Sequence, residues 1–321
     1  MTDITRRPVG TLRISPLCLG GNVFGWTADE TASFKILDAY ATAGGNLIDT
    51  ADSYTARVVG NKGGESETII GRWLDRRGRR DDVLVATKVG AHPEYQGLAA
   101  DTIKRAADAS LRRLNTDRID LYYTHFDDES VEVGEIITAL DDLVRAGKVR
   151  EIAASNISPA RLEESLAFSA REGKAAYVAL QPHYNLVSRD TYEGELADVV
   201  ARHGMACLPY FALAKGFLTG KYRPGTTVDS PRAARAAQYL DTAEGPRVLA
   251  VLDEVAANHR TDHAAVALAW LAARPTVAAP IASARTTEQL RPLLASMELT
   301  LTADELAVLD RASAPAGEPS A

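Results

Sequence analysis

The feature that most constrains this 321-residue chain is an alternation: short apolar runs of strand type are followed, again and again, by longer segments of helical period. The clearest runs are 83–87 (VLVAT), 119–124 (IDLYYT), 149–154 (VREIAA), 177–180 (YVAL), 205–209 (MACLP) and 277–281 (VAAPI). Shorter ones at 17–19 and 47–48 bring the candidate strands to eight. Helical segments fit between them. Residues 31–43 carry Phe34, Ile36, Leu37 and Tyr40 and stop at Gly44-Gly45, a helix-end signal. Segments 65–76, 101–114 and 132–145 show the same spacing, and 159–170 begins after Ser158 with proline at the first helical position.

Repeated strand–helix units imply a parallel sheet. Eight of them predict an α/β chain folded as a (β/α)8 TIM barrel more readily than an open doubly wound sheet. An open sheet usually announces itself with Gly-x-Gly-x-x-Gly after its first strand. Here the first strand leads into Gly20-Gly21-Asn22-Val23-Phe24-Gly25, which does not match. Residues 9–14 predict a β-hairpin capping the barrel's bottom. The length suits a single barrel domain over 1–321, with a Pro/Ala/Gly-rich tail at 313–321 expected to be disordered. Two irregular segments, 52–64 and 211–246, follow strands and so belong at the C-terminal mouth of the barrel, where active sites are built.

Several function classes are excluded early. A net charge of -7 disfavours a nucleic-acid partner, since neutralising phosphates needs a basic surface. The basic run at 76–80 (RRGRR) ends a helix, where cations complement the dipole. The N-terminus has no apolar core of a secretory signal, and the longest apolar stretch, 264–273, is too short to span a bilayer. Cys18 and Cys207 sit in apolar runs and read as buried thiols of a cytoplasmic enzyme. His259 and His263 have metal-ligand spacing, but a helix start falls between them and no third ligand is near, so no metal is expected. The segment 216–221 (GFLTGK) is one residue short of a P-loop and lacks the following Ser/Thr.

Polar residues at the ends of early strands carry the chemistry. Asp49 ends the second strand and Tyr54 follows in its loop; Lys88 ends the third, and His125 the fourth. Side chains at the C-terminal ends of barrel strands share one pocket. Tyrosine can donate a proton, although its ordinary pKa is about 10. An adjacent ammonium is expected to lower that value, with an aspartate holding the lysine in place. Histidine can donate a hydrogen bond to a carbonyl oxygen. The set fits carbonyl reduction, with Tyr54 as general acid and Lys88 and His125 stabilising charge on oxygen.

Three motifs, in order, extend this reading. Asp49-Thr50-Ala51-Asp52-Ser53-Tyr54, the run 111–125 (LRRLNTDRIDLYYTH) and the run 140–156 (LDDLVRAGKVREIAASN) resemble the signatures of the aldo-keto reductase superfamily. The resemblance covers nearly the whole chain and is to bacterial members, similar to the aryl-alcohol dehydrogenase and potassium-channel β-subunit branches. It implies a catalytic tetrad of Asp49, Tyr54, Lys88 and His125, and NADPH as cofactor. By the same resemblance, Gly21, Asn22 and Asp49 border the cofactor, and Ser155, Asn156 and Gln181 hold the nicotinamide carboxamide. Tyr210 stacks on the ring, and Leu213, Lys215 and Gly216 run along the pyrophosphate. Lys221 and Arg232 clamp phosphates, while Ser283, Arg285 and Gln289 meet the adenosine end, where Arg285 favours NADPH over NADH. Two departures stand out: Phe211-Ala212 where the family often has Ser-Pro, and Pro292-Leu293 where it usually has Glu-Asn.

The expected substrate is a small-molecule carbonyl compound, its pocket lined by Trp26, Tyr54, His125, Phe126 and His183, with residues near Tyr239. Two other classes compete. One is a Schiff-base lyase in which Lys88 attacks a carbonyl. The other is a cofactor-binding redox sensor that turns over slowly.

Overall fold

In the computed structural model, which describes residues 4–314, two short strands pair before the main sheet begins. These are β1 (Arg7–Val9) and β2 (Leu12–Ile14), an antiparallel hairpin turned at Gly10, whose φ is +53°. Thr11 ties the turn to Glu151 through its N–H (2.7 Å) and its hydroxyl (2.6 Å). Val9, Leu12 and Ile14 are buried with Leu47, Leu84 and Leu121, so the hairpin's apolar face plugs the lower end of the sheet cylinder.

The main sheet is built from β3 (Cys18–Gly20), β4 (Leu47–Asp49) and β5 (Leu84–Val89). A small antiparallel pair, β6 (Ala91–His92) and β7 (Tyr95–Gln96), decorates the next loop. The sheet continues with β8 (Ile119–Thr124), β9 (Val149–Ser155), β10 (Tyr177–Gln181), β11 (Ala206–Cys207) and β12 (Ile281–Ala282). All eight are parallel, in the order β11-β10-β9-β8-β5-β4-β3-β12. The two ends meet where Cys207 bridges Val277 and Ala278 N donates to Cys207 O (2.9 Å), which completes a (β/α)8 barrel.

Helices α1 (Glu30–Thr42), α2 (Glu65–Arg77), α3 (Ala100–Leu114), α4 (Val133–Arg145) and α5 (Pro159–Glu172) follow successive barrel strands. The later ones are α6 (Glu195–Arg202), α7 (Ala233–Ala237), α8 (Glu244–His259), α9 (His263–Ala272), α10 (Thr287–Ala295) and α11 (Ala303–Ser313). Ser158 caps α5, its side chain accepting from Arg161 N at 3.3 Å, with Pro159 at the first position. The apolar stretch at 264–273 forms most of α9, buried on all sides and packed into the core. Among the described residues, no helix is long and apolar enough to cross a membrane.

Two expectations need correction. The seventh and eighth strands are shorter than 205–209 and 277–281, because Pro209 and Pro280 have no N–H for a ladder. Pro280 still offers its carbonyl, which accepts from Cys18 N (3.0 Å). The predicted disordered tail does not begin at 313: Ser313 closes α11 and is buried, whereas 315–321 lie outside the described residues. The arginines at 76–80 are tied to acids, for example Arg77 to Asp82 at 2.8 Å. His259 and His263 contact different carboxylates, Glu305 (2.9 Å) and Asp253 (2.7 Å).

Candidate active site

Asp49 and Lys88 come from neighbouring strands, with Asp49 opposite Ala86 in the β4–β5 register. After β4 the chain turns at once: Tyr54 N donates to Ala51 O (3.3 Å) and Ala56 N to Ser53 O (3.2 Å). That turn folds Tyr54 back over the strand it has just left. Its hydroxyl donates to Asp49 Oδ2 (3.1 Å) and accepts from Lys88 Nζ (2.9 Å). Lys88 Nζ also donates to both Asp49 oxygens (2.8 Å each) and to Thr50 O (2.7 Å). The ammonium is buried and its three hydrogens face Asp49, Thr50 and Tyr54. No lone pair is free for attack on a carbonyl, which weighs against a Schiff-base lyase.

The electrostatics of Tyr54 depart from expectation. Burial first, then the charge of Asp49, hold the phenol well above its ordinary value rather than below it. The physical reason is that burial disfavours the phenolate and the nearby Asp49 carboxylate, which also accepts the phenol's hydrogen bond, disfavours it further. His125 moves the other way, to about 3, because burial disfavours its cation and Lys88 repels it. Its ring stacks on Phe126 at 4.8 Å between centroids and meets Tyr54 edge-on at 6.0 Å.

A second polar set adjoins the first. Asn156 sits just past β9 with φ +48°, a left-handed conformation that asparagine tolerates. Its Nδ2 donates to His125 O (2.8 Å) and Ser155 Oγ (3.0 Å), while its Oδ1 accepts from the Tyr210 hydroxyl (2.9 Å). Ser155 Oγ donates to Gln181 O (2.8 Å), and Gln181 Nε2 donates to Asp49 Oδ1 (2.9 Å). The strand ends are thus joined in one hydrogen-bonded rim.

Above this rim opens a cavity of about 710 Å³. Asp49, Tyr54, His125, Ser155, Asn156, Gln181 and Tyr210 line its inner part, with Trp26 and Phe126 exposed at the mouth. Its walls run on past Asn22, Leu213, Lys215, Gly216, Lys221 and Arg232 to Ser283, Arg285 and Gln289. Phe211, Ala214, Lys215 and Gly216 all have positive φ, so this wall is a tightly wound loop that presents its backbone. Ser283 Oγ donates to Asn22 Oδ1 (2.8 Å), and Gln289 Oε1 accepts from Arg285 N (3.1 Å) at the start of α10. Pro292 and Leu293 make the adjoining wall apolar.

Lys221, Arg232 and Arg285 form no ion pair among the described residues. Burial lowers Lys221 and Arg232, and repulsion from Arg285 lowers both further. Cations that outnumber the acids on a cleft wall are a site for a polyanion. Asp262 and Glu288 are the acids on the same walls.

Three of the expected site residues stand elsewhere. His183 does not line the cavity; it stacks on Tyr210 at 5.6 Å and 16°, and so backs that ring. Gly21 is also off the wall: its N–H donates to Asp49 O (2.7 Å), its carbonyl accepts from Ser66 Oγ (2.8 Å), and a Cβ there would meet that Oγ at 2.9 Å. Tyr239 packs beside Phe217, away from the cavity surface. Conversely, Thr50 and Ser53 touch the site, although the motif that contains them singles out neither. Thr50 acts through a backbone carbonyl, and Ser53 through a side chain that meets His125 across the fold.

Comparison with known proteins agrees over the whole barrel. The profile described as the Aldo/keto reductase family matches residues 16–314. The "Uncharacterized oxidoreductase YrpG" of Bacillus subtilis (strain 168) is 34% identical over 318 residues, covering 96% of this chain and 95% of its own. "Norsolorinic acid reductase B" of Aspergillus parasiticus is 33% identical over 327 residues, covering 95% and 82%. "Protein tas" of Escherichia coli (strain K12) is 31% identical over 334 residues, covering 95% and 96%. With eight parallel strands and the motifs at their ends, the chain belongs to the Aldo/keto reductase family and is an oxidoreductase.

Proposed function

We propose that this protein is an NADPH-dependent reductase that converts an aldehyde or ketone to an alcohol in the cytoplasm. The observation that carries the reading is a continuity. The Tyr54 hydroxyl, held 2.9 Å from Lys88, opens onto the same cavity whose far wall bears Lys221, Arg232 and Arg285, which have no ion pair among the described residues. NADPH, when bound, supplies the hydride. Asn156, Ser155 and Gln181 orient the carboxamide end and Tyr210 offers its face to the ring. Lys221 and Arg232 neutralise pyrophosphate, and Arg285 takes the 2′-phosphate at the N-terminus of α10.

Tyr54 gives its proton to the carbonyl oxygen as negative charge develops there. Its raised pKa keeps that proton available at neutral pH. Lys88 stabilises the phenolate left behind, and Asp49 anchors the lysine. His125, neutral because its pKa lies near 3, donates a hydrogen bond to the same oxygen. Trp26 and Phe126 at the mouth favour a substrate with apolar or aromatic surface.

The test follows NADPH absorbance with a panel of reactive aldehydes and ketones, comparing wild type with Tyr54→Phe. Carbonyl-dependent oxidation in the wild type that nearly vanishes in the variant supports the assignment. NADPH binding without turnover of any carbonyl would favour a redox sensor instead.

A further inference from the structure

Ser53 Oγ lies 3.3 Å from His125 Nδ1. Among the described residues this is the hydroxyl's sole side-chain hydrogen bond, and Nδ1 has no second neighbour. The ring is held on its other sides. Phe126 stacks on it at 17°, the Tyr54 ring meets it at 74°, and Asn156 Nδ2 donates to the His125 carbonyl at 2.8 Å. His125 Nε2 has no hydrogen-bond partner among the described residues, and the ring lines the cavity.

A neutral imidazole carries one proton, and the nitrogen that accepts a hydrogen bond leaves the other as donor. Burial and Lys88 keep this imidazole neutral down to about pH 3. Among the described residues the Ser53 hydroxyl has no other acceptor, so within the protein its proton is satisfied only by donation to Nδ1. If Nδ1 carried the proton instead, the hydroxyl would become the acceptor and its own proton would have only solvent to meet.

We infer that Ser53 is a positioning residue whose hydroxyl donates to His125 Nδ1 and so fixes the tautomer with its proton on Nε2, facing the cavity. Ser53 and Tyr54 are adjacent in one turn, so that turn sets both groups that would address a substrate oxygen. The catalytic consequence rests on the reductase reading: an Nε2–H donates to a carbonyl oxygen, whereas a bare Nε2 would repel it. The geometry does not depend on that reading.

The experiment is long-range ¹H–¹⁵N correlation NMR of the intact, ligand-free protein with labelled histidine, the His125 signals being assigned with H125Q. Wild type is expected to show a protonated Nε2 and a bare Nδ1. In S53A the ring should shift toward a tautomer mixture, and kcat for carbonyl reduction should fall about tenfold with NADPH affinity unchanged. S53T, which restores a hydroxyl, should recover both readouts. A wild type protonated on Nδ1 overturns the inference without any variant, and so does an S53A spectrum identical to wild type. A wild type that shows the Nε2–H tautomer, sensitive to S53A, yet reduces no carbonyl would sink the reductase reading and leave Ser53's role intact.

Discussion

Lys88 Nζ stands 2.9 Å from the Tyr54 hydroxyl, yet the phenol is held above its ordinary range, first by burial and then by the charge of Asp49. The site therefore stores a protonated tyrosine rather than a phenolate. Rate at saturating substrate should stay level through neutral pH and fall only in strongly alkaline solution, where Tyr54 begins to lose its proton. Tyr54→Phe should lower kcat by about 10²- to 10⁴-fold with NADPH binding retained, checked by steady-state kinetics beside a fluorescence titration.

Removing Lys88 should be a stability change as well as a catalytic one. Lys88→Met leaves the Asp49 carboxylate buried without its counter-ion, at a cost of about 3–5 kcal/mol. Urea denaturation at pH 7 measures this directly. A loss below ~1 kcal/mol would mean that Gln181 and solvent suffice to hold Asp49.

His125 should contribute to acid lability. Its folded-state pKa, about 3, lies below the ordinary value of 6.5, so between these limits the unfolded chain binds the extra proton. Stability is fully present above about pH 6.5 and falls as pH drops toward 3, by up to ~1.4 kcal/mol per pH unit from this group. His125→Gln should flatten that part of the stability-versus-pH curve by about one proton. An unchanged slope would show that the imidazole titrates near its ordinary value.

The cations of the cavity's far wall should matter for ligand far more than for fold. Arg285→Ala is expected to weaken NADPH by about tenfold or more, the scale of one charged hydrogen bond, and NADH much less. In the ligand-free protein Arg232→Ala should cost less than ~0.5 kcal/mol, since it also relieves repulsion with Arg285 and Lys221. Equal losses for both nucleotides would move Arg285 away from the 2′-phosphate.

Gly21→Ala should lower the melting temperature. The new Cβ would press on Ser66 Oγ (2.9 Å) and Asp49 O (3.2 Å), a strain of about 1–3 kcal/mol. A variant as stable as wild type but impaired in NADPH binding would return Gly21 to the cofactor wall.

Much of this protein was legible in its sequence because the signals are local. Short continuous apolar runs mark the strands and period-3.6 patterns the helices, and eight alternations leave few architectures other than the barrel. Asp49, Lys88 and His125 are strand-end residues, and a strand end in a barrel has only one place to point. Tyr54 follows Asp49 by one turn, so its return to the strand is also written locally. What tertiary structure decided involves partners far apart in the chain. His183 backs Tyr210 instead of facing the cavity, Gly21 packs against Ser66, and Ser53 meets His125. The pKa of Tyr54 likewise depends on how deeply the phenol is buried and how close the Asp49 carboxylate lies. Local periodicity determines which residues reach the mouth of the barrel; only close packing in three dimensions determines which of them touch, and so which proton each one keeps.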